Sequence, residues 1–72
     1  MGCQWSKITL SIGVNVSIAG DLRQSIKEEY EAEANYIRRA KTADPITKKL
    51  YLHIAHEEHG HALEFKKRLS ML

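Results

Sequence analysis

His53-Ile54-Ala55-His56-Glu57-Glu58-His59-Gly60-His61 gathers all four histidines of a 72-residue chain around two adjacent carboxylates. At roughly 100° per residue the segment reads as helix, with an apolar stripe of Leu50, Ile54, Phe65, Leu69 and Leu72. Glu58 and His61 fall inside that stripe. An acid and an imidazole three apart on an apolar face are costly to cover unless something pairs with them, and a metal ion is one such partner. His56 and His59 turn to the other side, towards solvent. His53 flanks the stripe, and Glu57 stands beside it, within reach of a Lys or Arg.

Working back from this stretch, Asp44-Pro45 is the punctuation that divides the chain. Proline disfavours helical geometry in the residue before it and suits the first position of a new helix, with Asp44 as N-cap. A second helix is therefore expected over residues 45–70. Upstream, Leu22, Ile26, Glu29, Glu33, Tyr36, Ala40 and Ala43 recur at spacings of three and four, one continuous helical face. Asp21 offers an N-cap and Gln24 completes a capping-box pattern, so a first helix is expected over residues 21–42. A connection this short makes the two helices antiparallel neighbours. Tyr30, Ala34, Leu52, Ala55 and Leu63 lie off the main stripes, which predicts association into at least a dimer.

The first twenty residues read differently. Ile8, Leu10, Ile12, Val14, Val16 and Ile18 alternate with smaller or polar residues, the period of two of a half-buried strand. A lone strand has no partner within this chain, so residues 1–20 are expected to form an extended or disordered leader ahead of a helical domain over residues 21–72. Met1-Gly2-Cys3 with Ser6 also matches an N-myristoylation pattern, with Cys3 available for palmitoylation.

Composition narrows the function. Eleven Lys and Arg nearly balance nine Asp and Glu. The basic clusters at Arg38-Arg39, Lys48-Lys49 and Lys66-Lys67-Arg68 have acids beside them and no interleaved aromatics, which argues against nucleic acid. A single cysteine forms no internal disulfide framework and fits a reducing cytoplasm. The most apolar run, residues 8–19, is broken by Ser11, Gly13, Asn15 and Ser17, so no membrane span is expected. A chain this short needs a metal, a disulfide or a second copy for stability.

The polar residues inside the two stripes meet at one level. Glu29 stands fifteen positions before Asp44, and Glu58 and His61 stand thirteen and sixteen after Pro45. A carboxylate-bridged di-iron site takes one Glu from each of two helices and a Glu-x-x-His pair from each of two others. One hairpin offers half of that set, and two hairpins related by a twofold axis offer all of it.

With Glu29-x-x-Ala32-x-x-x-Tyr36 before the turn and Ile54-Ala55-x-Glu57-Glu58-x-x-His61-Ala62 after it, the chain resembles the ferritin-like superfamily over about residues 21–70. Within it, the rubrerythrin-type and encapsulated-ferritin branch is the most similar. The resemblance implies an all-α fold in which the two-helix hairpin dimerises into a ferritin-like four-helix bundle. It also implies a ferroxidase that oxidises Fe(II) to Fe(III) at a di-iron site, two irons per dimer, for iron storage or detoxification. Glu29 matches the first-helix metal ligand, Glu58 the bridging ligand, His61 the terminal ligand and Tyr36 the tyrosine near the metals. Glu28 and Glu31 match acids that relay iron towards the site. Glu33 departs from the family, standing where an aliphatic residue is usual, as an extra ligand, a proton acceptor or a rim charge, and Asn35 replaces an aromatic. The implied partners are a second copy of the chain, a ring of such dimers and an encapsulin shell, in the cytoplasm or inside such a compartment. The rival readings are a rubrerythrin-like peroxide reductase, which needs an electron donor beyond this chain's one cysteine, and a non-catalytic dimerising hairpin, lipid-anchored through Gly2 and Cys3.

Overall fold

The computed structural model describes the backbone of residues 3–72 and the side chains of residues 17–72. Two helices, α1 (Cys3–Ala40) and α2 (Pro45–Ser70), pack against each other and make up an all-α fold. The pairing runs in reverse order along the chain: Tyr36 meets Tyr51, Glu33 meets His59, and Tyr30 lies beneath Lys66. The hairpin is therefore antiparallel, as expected.

Its turn is built by local chemistry. Asp44 is extended (φ −62°, ψ 162°), and its Oδ2 accepts hydrogen bonds from the backbone N–H of Ile46 at 3.2 Å and Thr47 at 3.1 Å. Two of the donors a helix start leaves unpaired are thereby satisfied, and Pro45 at the first helical position has no N–H to satisfy. These bonds hold the Asp44 carboxyl below its ordinary value, with the Thr47 contacts the largest cause. On the other side of the turn α1 tightens as it ends, with Lys41, Thr42 and Ala43 donating to carbonyls three residues back. Arg38 and Arg39 occupy its last turn, where cations complement the helix dipole.

The start of α1 differs from the sequence reading. Residues 17–20 are helical, and Asp21 is an exposed residue inside the helix rather than its cap. Gln24, instead of completing a capping box, donates to Glu28 at 3.2 Å. The physical reason is that a helix adds residues cheaply once a nucleus exists, whereas a strand here has no partner among the described residues. The alternating side chains before Ser17 and the Met1-Gly2-Cys3 signal lie outside the described residues.

The expected face of α1, from Leu22 through Ile26, Glu29, Glu33 and Tyr36 to Ala40 and Ala43, is buried or half-buried throughout, whereas the contact face of α2 differs in part. The fully buried residues among those described are Ala40, Ala55 at 3% exposure and Ala62 at 0%. The contact is a seam of alanines, with Tyr51 and Leu69 partly covered beside it. The expected stripe is covered only in part: Ile54, Phe65 and Leu69 are half-buried, while Leu50 is 53% exposed and Leu72 is exposed as well. Large apolar residues mark the stripe in the sequence, but small residues let two helices approach closely, and that approach sets the rotation.

The seam leaves two flanks. One carries Glu29 and Ala32 of α1 with Ile54, Glu58, His61 and Phe65 of α2, which share a helical direction. The other carries Tyr30, Glu33 and Ile37 of α1 with Leu52, His59, Leu63 and Lys66 of α2. Among the described residues no helix is long and apolar enough to cross a membrane.

Candidate metal centre

Glu29, near the middle of α1, and Glu58 with His61, near the middle of α2, come together on the first flank. Each offers one ligand atom, and these atoms all lie within 4.8 Å of one another. Carboxylate oxygens and imidazole nitrogens bind an ion such as Zn(II) at about 2.0–2.2 Å, so the three groups would have to draw slightly closer together to share one cation. The spacing of three between Glu58 and His61 puts both side chains on one helical face. The antiparallel turn brings Glu29 to their level. Glu29 and Glu58 are half-buried, while the His61 side chain is 51% exposed rather than covered. The two carboxylates therefore sit at the edge of the helix contact, with the imidazole reaching out towards solvent.

The electrostatics are those of an incomplete site. Two carboxyl groups sit side by side, and Glu58 is raised above its ordinary value of 4.5. The largest cause is its hydrogen bond with the Glu29 carboxyl, followed by burial and by the negative charge of Glu29, while His61 pulls the other way. Like charges this close disfavour double ionisation. Oε2 of Glu29 is buried and has no hydrogen-bond partner. The His61 Nδ1 stands 3.6 Å from it, too far for a hydrogen bond. An orphaned buried oxygen costs about 1–3 kcal/mol, and a cation held by the three side chains would remove that cost and the carboxylate repulsion together. Two carboxylates and one imidazole suit a hard or borderline divalent ion.

The remaining candidates are distributed as follows. Tyr36 is seven residues from Glu29, a rise of about 10 Å; its ring packs against Tyr51 at 5.8 Å with the Arg39 guanidinium 5.4 Å above it. Glu33 lies on the opposite flank, with both carboxylate oxygens 3.1 Å from Nδ1 of His59. Glu28 accepts from Gln24, and exposed Glu31 stands 4.0 Å from Lys27, both away from the trio. Glu57 pairs with His53 at 3.4 Å rather than with a Lys or Arg.

His59 is the residue that sequence reasoning missed. Its expected place was solvent, yet it is half-buried against α1, with Tyr30 packed edge-on at 5.8 Å. The signal was there: Ala55-x-x-x-His59-x-x-Ala62 repeats at i, i+4 and i+7, the spacing of one helical face, and two of the three are the seam.

Compared with models of known protein families, with curated proteins and with solved structures, the chain matches none.

Proposed function

We propose that the hairpin pairs with a second copy through the flank that carries Glu29, Glu58 and His61, and that the resulting four-helix bundle is a ferroxidase. The observation that carries this reading is the convergence of those three ligand atoms, one from α1 and two from α2, within 4.8 Å of one another. A twofold axis over that face brings two such half-sites together, with one Glu and one Glu-x-x-His from each chain, the ligand set of a carboxylate-bridged di-iron centre.

Iron is the substrate in this reaction. Two Fe(II) each lose one electron to one dioxygen, which takes two protons and leaves as hydrogen peroxide. Glu29 and Glu58 bind and neutralise the metal charge, and neutral His61 binds through a ring nitrogen.

The test is metal content beside oligomeric mass, followed by aerobic Fe(II) oxidation. About one iron per chain in an even oligomer is expected, together with a ferric absorbance that grows after air is admitted. A non-catalytic dimer is the second reading, favoured by exposed Leu50, Leu52 and Leu63, which need cover whether or not a metal binds. A metal-free even oligomer that leaves Fe(II) oxidation at its background rate selects that second reading.

A further inference from the structure

We infer that the Glu33/His59 pair is a positioning device that holds Glu58 and His61 in register with Glu29. This rests on the metal-binding reading above. The alanine seam explains the need. Ala40, Ala55 and Ala62 are the only buried residues among those described, and such small side chains offer little interlocking against a slide or roll of one helix on the other. On the metal flank the polar groups hold the helices less firmly, since His61 stands 3.6 Å from Glu29 and the carboxyls of Glu29 and Glu58 repel whenever both are ionised.

The opposite flank supplies the constraint. A carboxylate only accepts hydrogen bonds, so Nδ1 of His59 is the donor to Glu33, at 3.1 Å to each oxygen. The imidazole is further bracketed by Tyr30 edge-on at 5.8 Å, and the Lys66 ammonium caps that tyrosine ring at 4.8 Å. Four side chains, two from each helix, thus form one interlocked row. Glu33 is one helical turn from Glu29, and His59 adjoins Glu58 in sequence. Fixing His59 against Glu33 therefore fixes both the height and the rotation at which Glu58 faces Glu29. The pair acts across the seam without touching the metal ligands.

Cobalt(II) titration of the full chain, read by its visible absorption, separates the possibilities. His59→Ala and Glu33→Ala are each expected to weaken cobalt binding about 10–100-fold, the usual loss when a group that orients ligands is removed. The double variant is expected to lose no more than either single one, since both remove the same bond. His59→Asn, which can place an amide N–H where Nδ1 was, and Glu33→Gln, which keeps the acceptor oxygen, are expected to retain most of the affinity. They also serve if the alanine variants fail to fold. The absorption spectrum should keep its shape throughout, because the ligands are unchanged. Native affinity in both alanine variants overturns the inference, as does a changed spectrum, which would make His59 or Glu33 a ligand. Failure of the native chain to bind cobalt sinks the metal reading itself.

Discussion

The two flanks of the helix pair carry the same chemistry, carboxylate against imidazole, and are left in opposite states. Across one flank Glu33 and His59 lie 3.1 Å apart, and the His59 ring packs edge-on against Tyr30. Across the other, His61 stands 3.6 Å from Glu29, one carboxylate oxygen has no partner, and a second carboxyl crowds in. Residue type therefore does not distinguish a structural pair from a candidate site. What distinguishes them is whether the polar groups finish one another. A satisfied pair stabilises the fold it sits in, and an unsatisfied one costs stability that a ligand can recover.

The largest test of that contrast removes a ligand from the unfinished flank. Glu58→Ala or His61→Ala should reduce Fe(II) oxidation by more than the roughly 100-fold reached by loss of an orienting group, measured as ferric absorbance on metal-stripped, reloaded protein. Undiminished oxidation breaks the comparison outright. Next, the seam that separates the flanks can be widened. Ala62→Leu overpacks a position with 0% exposure and should cost about 1–3 kcal/mol, seen as a lower midpoint in urea unfolding.

A smaller effect belongs to the turn that sets which residues face each other. Asp44→Ala deletes an N-cap that accepts two backbone hydrogen bonds and should cost about 1 kcal/mol, or roughly 4–8 °C in Tm for a domain of this size. Asp44→Ser should restore most of it.

The unfinished flank should also show itself through pH. Folded Glu58 holds its proton above its ordinary value of 4.5, so above that value the folded state binds more protons than the unfolded one. Stability is then fully present below pH 4.5 and is lost as pH rises through the raised value. The metal-free protein in a chelator should show a falling Tm over that window, and Glu29→Gln should flatten the slope. The smallest effect is the control: Lys27→Ala breaks an exposed pair at 4.0 Å and should change stability by less than about 0.5 kcal/mol.

These residues also mark what was legible in the sequence. Asp44-Pro45 and the limits of α2 could be read because capping is decided by a few adjacent residues. Glu29, Glu58 and His61 could be grouped because register follows from distance to a short turn. The start of α1 could not, since Asp21 looks alike as a cap and as a solvated residue in a longer helix. His59 was misplaced for a different reason. The large apolar residues of α2 pointed to one face, while the actual contact was decided by Ala55 and Ala62, which a hydrophobicity pattern weighs lightly.

The alanine seam has a consequence for where chemistry can occur in so small a body. With extents of 20 × 12 Å across its long axis, the hairpin is two helices wide and about one helix diameter thick. Among the described residues such a slab buries only three alanines and encloses no chamber. A cation held by Glu29, Glu58 and His61 would therefore stay open to water on the side of the half-exposed imidazole unless a second surface closed over it.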